Sequence, residues 1–180
     1  PDDVPFNDGL AQWIEVFAPE GSLLNPRHPA PVNARSVTVN RVADAVLGAL
    51  ALAVPDRVGA QCCGVPVGVS FGGIDPRSGA RYASYETIKG GYGARPTKDG
   101  INAVASTVSN MSNTPVEIIE MSFPLRVEEY SLIPDSGGAG KYRGGLGVRR
   151  VWRVLERQAQ ASVCCERTVT PPFGLAGGTS

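Results

Sequence analysis

Glycine and turn-forming residues are concentrated between Tyr85 and Arg150, where they separate short apolar runs. The whole chain has 22 glycines and 15 prolines among 180 residues, which is above average usage, and they follow no period. Both residue types interrupt regular secondary structure. The sequence therefore predicts short elements joined by many turns, with more loop and strand than helix.

Composition narrows the class of protein. Hydrophobic residues make up 42% and charged residues 19% of the chain, which is typical of a folded globular protein. Seventeen basic residues balance seventeen acidic ones, and no basic run or aromatic-interleaved patch indicates a nucleic acid or an anionic membrane as a partner. The longest apolar run, residues 43–55, is short and is broken by Asp44, so no membrane span is predicted.

A long helix is predicted from Thr38 to Val54. Arg41 and Asp44 mark a polar edge, and Pro55 ends the pattern. Apolar residues recur at helical spacing along the other side: Val42, Val46, Ala49, Leu50 and Ala53. We expect this apolar face to be buried against a sheet.

A short helix is predicted from Pro115 to Met121. Thr114 offers a hydroxyl at the N-cap, Pro115 suits the first helical position, and Glu117 is placed to close a capping box. Pro124 then ends the helix.

Alternating and apolar runs predict the strands. They are residues 13–17, a hairpin of 65–71 with 82–88 about a turn at 72–79, residues 125–132, and residues 148–155 paired antiparallel with 161–167. The predicted fold class is α+β, with a mixed or antiparallel sheet, glycine-rich turns, one long helix and one short helix.

The glycine-rich loop at residues 135–147 is compared with known phosphate loops. A Walker loop needs glycine where Asp135 stands and serine or threonine where Tyr142 stands, and the dinucleotide fingerprint also fails. An anion nest built from the loop's backbone amides remains open as an alternative to a plain turn-rich loop.

The cysteines form two adjacent pairs, 62–63 and 164–165. Neighbouring cysteines seldom bond to each other, and the spacing matches no zinc template, so we expect reduced, buried thiols on strands. A disulfide or metal between the pairs is the alternative. Reduced thiols favour a cytoplasmic location. His28, the only histidine, lies between prolines with no second ligand at suitable spacing, so no metal site is predicted.

A set of motifs resembles the C-terminal part of the hydantoinase B family, which includes the corresponding domain of 5-oxoprolinase and subunits of acetone and acetophenone carboxylases. In order, they are APEGSLLNP, ALAVPDRVGAQ, FGGIDPRSG, YETIKGGYGARPTKDG, NMSNTPVEIIE, DSGGAGKYRGGLGVRR and PPFGLAGG. They span essentially the whole chain. With Pro1 at the start and no methionine before it, they predict that residues 1–180 are a partial hydantoinase B type domain, truncated at both ends.

The resemblance implies an ATP-dependent activity. A hydantoinase A type partner, which carries ATP and Mg²⁺, phosphorylates the substrate oxygen, and water then opens a cyclic amide such as hydantoin, N-methylhydantoin or 5-oxoproline. In the carboxylases, a ketone enolate is phosphorylated and carboxylated instead. The family's divalent metal site belongs to the N-terminal half of the full-length polypeptide, so no cofactor is expected within this chain.

Seven polar residues are the candidate substrate-binding groups. Three lie around the short helix and four in the glycine loop: Asn110, Asn113, Glu117, Asp135, Ser136, Lys141 and Arg143. A helix N-terminus and a forked guanidinium both suit phosphate or carboxylate. Structural roles are the alternative: Glu117 as a cap, the asparagines as turn formers and Arg143 as an ion-pair partner. A second hypothesis for the chain is a non-catalytic structural or subunit-interface module that docks the ATP-binding partner.

Overall fold

The computed structural model describes residues 7–180 and has the predicted α+β fold. The helices are a 3-10 helix at Asp8–Trp13, α1 at Arg35–Ala53 and α2 at Val116–Ser122. The strands are β1 at Val67–Ile74, β2 at Arg81–Ile88, β3 at Leu125–Leu132, β4 at Val148–Val154 and β5 at Gln160–Cys164. The chain divides into two compact units, residues 1–38 and 39–180.

The predicted strand at residues 13–17 is wrong. The 3-10 helix ends at Trp13, its start is capped by the Asn7 side chain, which accepts from the Gly9 amide at 2.9 Å, and the residues after it are irregular. Trp13 is 91% exposed and Phe17 is 85% exposed. Alternation predicts a strand only where a second strand pairs with its backbone, and within described residues 7–38 no strand does so.

The long helix α1 is confirmed, but the prediction of its buried face is wrong. Val42 is 40% exposed and Val46 is 53% exposed, whereas Asn40 and Asp44 are buried. Apolar spacing locates one face of a helix, but it does not say which face the rest of the fold covers.

Three ion pairs explain why the polar side of α1 is buried. The Asp44 carboxylate lies 2.7 Å from Arg41 Nη2 and 2.9 Å from Arg167 Nη2. Arg41 also pairs with Glu166 at 3.0 Å. Charge pairing therefore holds residues 166–167 on this side of the helix.

Among the described residues, α1 alone is long and apolar enough, by length and composition, to cross a membrane. Core helices of soluble proteins and signal sequences meet the same test. Asp44, near the middle of α1, is ion-paired within the protein. The absence of a membrane partner stays a prediction.

The first sheet has the order β2-β1-β5, and all its pairs are antiparallel. The predicted hairpin is confirmed, with register from Val67 opposite Ile88 to Ile74 opposite Arg81. Its turn is closed by Asp75, whose backbone carbonyl accepts from the Gly79 amide at 2.7 Å.

The second sheet pairs β3 with β4, so the predicted pairing of residues 148–155 with 161–167 is wrong. β5 instead pairs with β1, with Ser162 opposite Ser70. Glu156 explains the change of sheet: its carboxylate accepts from the Ile74 amide at 3.1 Å and from the Tyr82 hydroxyl. These bonds direct the chain from β4 to the end of the hairpin. Burial and the bond to Glu156 raise the pKa of Tyr82.

The short helix α2 packs on β3, and Ile119 and Leu125 are almost completely buried there. The predicted capping box is wrong, because Pro115 is itself the N-cap residue and no side chain caps the helix. Proline has no N–H, so it offers nothing that Glu117 could accept.

The other end of α2 is capped by an arginine. Arg77 Nη1 donates to the carbonyls of Met121 at 3.0 Å and Glu120 at 3.3 Å. Its guanidinium also binds the Asp75 carboxylate, with Nη2 at 2.7 Å from Oδ2, and this bond lowers the pKa of Asp75. Arg77 thus ties the turn of the first sheet to α2 on the second.

Candidate functional site

Three glycine-rich segments of the second unit meet around a cavity of about 420 Å³. They are residues 90–96, 136–147 and 172–180. We call this the glycine-lined cavity. Backbone hydrogen bonds join the segments: the Gly145 amide donates to Tyr92 O at 2.9 Å, and the Thr179 amide donates to Ala139 O at 2.8 Å.

The glycines permit these segments to touch through their backbones. A Cβ on Gly91 would lie 1.9 Å from the carbonyl oxygen of Gly145, and a Cβ on Gly93 would lie 1.9 Å from that of Ala60. Both oxygens belong to backbone carbonyls, so relief of either clash requires a shift of the main chain. The density of glycine in the sequence is therefore a requirement of this close approach.

The cavity wall is largely apolar or backbone, with two cationic side chains, Arg95 and Lys141. Among described residues 7–180, no aspartate or glutamate lines it. A wall with two cationic side chains and no acidic side chain favours an anionic or electron-rich ligand. Arg95 and Tyr92 were not predicted as wall residues, although both lie in a motif that the sequence singles out, because no spacing rule distinguishes them from turn residues.

The structure brings Ser136 and Lys141 together at this cavity. Ser136 Oγ donates to Ile133 O at 2.7 Å and accepts from the Gly147 amide at 2.8 Å, so this hydroxyl shapes the loop. Lys141 is exposed, and its Nζ lies 5.6 Å from the centre of the Tyr142 ring. Of the two, Lys141 has the freer polar group.

Arg143 lies outside the cavity wall and makes the contacts expected of its structural alternative, while its binding role stays a prediction. Its amide donates to Asp99 Oδ1 at 2.9 Å, and its Nη1 donates to Asn102 Oδ1 at 3.3 Å. Its Nε lies 3.8 Å from Asp99 Oδ2. Arg143 therefore joins the loop at residues 99–102 to the glycine loop.

The other four candidates also lie outside the cavity wall. Asn113 donates from its side chain to the hydroxyl of Tyr130. The remaining three are exposed: Asn110, Glu117 and Asp135. Asp135 adopts φ +55, in the left-handed region that turns use. A binding role for these residues stays a prediction.

Two adjacent cysteines lie beside the cavity. Cys63 lines it, and Cys62 is buried with its sulfur 3.6 Å from Thr107 Oγ1. Tyr92 donates its hydroxyl to Thr107 Oγ1 at 3.4 Å, which leaves the Thr107 proton free to point at the sulfur. The hydrogen bond from Cys63 lowers the pKa of Cys62 to about 5, and the same bond raises the pKa of Cys63.

This arrangement predicts that Cys62 is a thiolate at neutral pH. Its ionised fraction should already be near a plateau at pH 7, because pH 7 lies well above a pKa of about 5, whereas an ordinary thiol with a pKa near 8.5 is about 3% ionised there. In Cys63→Ala the rise should move to higher pH. Ultraviolet absorbance of the thiolate across pH 4–10, with Cys62→Ala as the background, measures both profiles without a reagent that must reach the buried sulfur. Coincident profiles rising only near pH 8.5 would contradict this assignment.

The prediction that the thiols are buried is wrong for the second cysteine pair. All four cysteines are free, and Cys164 and Cys165 are exposed rather than buried. Within residues 7–180, no group of three or more His, Cys, Asp or Glu side chains is placed to hold a metal ion. The described residues therefore do not fit the family's divalent metal, and we assign it no step here.

The family model for hydantoinase B/oxoprolinase matches residues 1–180. The chain belongs to this family. The match covers every motif discussed above, including the segments that form the glycine-lined cavity.

The proteins that resemble this chain are much longer than it is. An uncharacterised protein of Methanocaldococcus jannaschii is 42% identical over 99% of the chain, which spans 31% of that protein. The putative B component of a D-/L-hydantoinase from a Pseudomonas species is 42% identical over 79% of the chain and 24% of its own length. The beta component of the caprolactamase of Pseudomonas jessenii is 34% identical over 96% of the chain and 31% of its own length. The chain thus spans about a third or less of these relatives.

One solved structure is similar in fold. Nucleotide-free acetone carboxylase, from a study of ATP-dependent acetone carboxylation, superimposes with a TM-score of 0.52 at 25% identity. The match covers 58% of this chain and 14% of the carboxylase chain. The hydantoinase and caprolactamase relatives are each named as one subunit of an enzyme, which implies a partner subunit in those enzymes.

Proposed function

We propose that this chain is part of a hydantoinase B type protein that hydrolyses a cyclic amide with ATP, together with a hydantoinase A type partner. The observation that carries this choice is the extent of the similarity. The relatives named as a hydantoinase and a caprolactamase, enzymes of cyclic amides, are 42% and 34% identical to this chain, whereas the acetone carboxylase chain is 25% identical. Hydrolysis of a cyclic amide is therefore favoured over ketone carboxylation.

The proposed roles of the two proteins follow from amide chemistry. An amide resists attack by water because its nitrogen is a poor leaving group and its carbonyl carbon is weakly electrophilic. Phosphorylation of the amide oxygen by the partner removes that resistance, so the protein that carries this chain must position the activated ring and stabilise negative charge. The glycine-lined cavity suits that task, because Lys141 places a cation in a wall to which the described residues contribute no acidic side chain.

Turnover by the polypeptide that carries this chain, assembled with its partner, tests the proposal. Hydantoin, 5-oxoproline and caprolactam should each be assayed for ring opening with and without ATP, and acetone for carboxylation. We expect ATP-dependent ring opening of at least one cyclic amide. Carboxylation of acetone without ring opening would overturn the proposal, and absence of every activity in the assembled complex would favour the structural module.

A matched pair of variants tests the cavity. Lys141→Gln is expected to lower kcat/KM for the cyclic amide by about tenfold or more, the scale of one lost charge-assisted contact. Arg126→Gln removes an exposed cation outside the wall of the glycine-lined cavity and should leave kcat/KM unchanged. Equal rates in the two variants would remove Lys141 from the site.

A further inference from the structure

Arg95 lies where two cavities meet. It lines the glycine-lined cavity and also a neighbouring cavity of about 620 Å³. Both cavities share several wall residues, among them Tyr92 and Phe173. A side chain in this position is reachable from either space.

The guanidinium of Arg95 has hydrogen-bonding capacity that the protein leaves unused. Nη2 donates to the backbone carbonyl of Asp99 at 2.9 Å. Nε is buried and has no hydrogen-bond partner. Nη1 makes no hydrogen bond to the other described residues either, so the guanidinium keeps N–H groups for an acceptor that these residues do not supply.

Arg95 also has no counter-ion in the part of the chain that the structure describes, since no carboxylate oxygen lies within 4.0 Å of it. Two arginines with well-buried side chains differ from it. Arg150 pairs with Glu86 at 3.2 Å, and Arg167 pairs with Asp44 at 2.9 Å. Asp44 lines the neighbouring cavity, but Arg41 and Arg167 already bind its carboxylate.

The backbone holds Arg95 in this place. The amide of Ala60 donates to the carbonyl of Ala94 at 2.8 Å, and the amide of Arg95 donates to the carbonyl of Lys98 at 2.9 Å. A tight turn thus presents the side chain, and its position does not depend on an ion pair. Such preorganisation is what a binding group needs.

We propose that Arg95 and Lys141 form a binding site for an oxyanion, a carboxylate or phosphoryl group, in the glycine-lined cavity. The planar guanidinium presents N–H groups of Nη1 and Nη2 to two oxygens of one anion, and Lys141 adds a second positive charge in the same cavity. The identity of the bound group rests on the proposed function. It is either the carboxylate of a cyclic amino-acid amide or the phosphoryl group carried by the activated amide.

Binding measured without ATP or turnover tests the site separately from the proposed function. Inorganic phosphate and 5-oxoproline, which has a carboxylate, are titrated by calorimetry into the polypeptide that carries this chain, with hydantoin as the ligand that has no carboxylate. We expect Arg95→Gln to weaken phosphate and 5-oxoproline at least tenfold and to leave hydantoin unchanged. Loss for phosphate alone assigns the site to the phosphoryl group, and loss for 5-oxoproline alone assigns it to the carboxylate.

Two further variants control for folding and for bulk charge. Arg95→Lys keeps the charge without the fork and should bind with intermediate affinity, whereas Arg81→Gln removes an exposed arginine outside both cavity walls and should bind like the wild type. Wild-type affinity for both anions in Arg95→Gln or Arg95→Lys overturns the proposal, as does a folded wild-type protein that binds neither anion. Ring opening with intact anion binding in every Arg95 variant would leave the proposed function standing and remove only this site.

Discussion

Replacing Gly91 by alanine is expected to lower the free energy of unfolding by more than about 3 kcal/mol, the upper range for forced overpacking. The new methyl group would lie 1.9 Å from the carbonyl oxygen of Gly145, which is far inside van der Waals contact. That oxygen belongs to a backbone segment held by the bond from the Gly145 amide to Tyr92 O at 2.9 Å. Urea denaturation followed by circular dichroism measures the change.

Gly72→Ala is the matched control. Gly72 lies in β1, and its added Cβ would meet the Tyr82 carbonyl oxygen at 3.5 Å, an ordinary contact. Its effect should stay within about 1 kcal/mol, since alanine in a strand also loses less backbone entropy than glycine. A Gly91→Ala protein as stable as Gly72→Ala would show that the segments around the cavity do not touch as described.

Removing the side chain of Arg150 is expected to have the second large effect. Arg150 lies in β4, its side chain is 1% exposed, and Nη1 is 3.2 Å from Glu86 Oε2 in β2. Its guanidinium carbon also lies 5.1 Å from the ring centres of both Tyr130 and Trp152. The pair therefore joins the two sheets across a desolvated contact.

Arg150→Met should cost about 3–5 kcal/mol, because it leaves the buried Glu86 carboxylate without its cation. Adding Glu86→Leu should recover much of that loss, since removing both charges removes the desolvation cost as well. The free energies of unfolding of the two single variants and the double variant form a double-mutant cycle that measures the coupling.

Glu20→Gln provides the control for this cycle. Glu20 pairs with Arg27 at 3.3 Å, but their side chains are 70% and 71% exposed, so the change should cost no more than about 1 kcal/mol. If Arg150→Met cost as little as Glu20→Gln, or if the double variant were no more stable than Arg150→Met, the buried pair would not join the sheets as proposed.

The local pattern of the sequence was enough to locate most elements. The hairpin, the strand from Leu125 to Leu132 and both helices lie within three residues of their predicted bounds. Each is encoded by a period or a breaker within a few residues, and such short-range signals survive folding. The capping box failed because the register shifted by one residue, which put proline at the cap.

The residues of a strand did not encode which other strand it pairs with. Nothing in residues 160–164 distinguishes β4 from β1 as a neighbour, and the bonds that Glu156 accepts from Ile74 and Tyr82 decide it over a separation of more than 70 residues. The same holds for α1, whose polar side is buried because Arg167, 123 residues away, binds Asp44.

The sequence by itself determined the fold class, the family and the many glycine-rich turns between short elements. Only the tertiary structure showed that Lys141 and Arg95 line one cavity, whereas the Arg143 guanidinium lies beside the Asp99 carboxylate, with Nε 3.8 Å from Oδ2. The physical reason is that a cationic side chain can bind a ligand only where no carboxylate of the protein already pairs with it. Whether such a carboxylate is near depends on every segment that folds around the side chain, and the spacing of residues along the chain does not encode this.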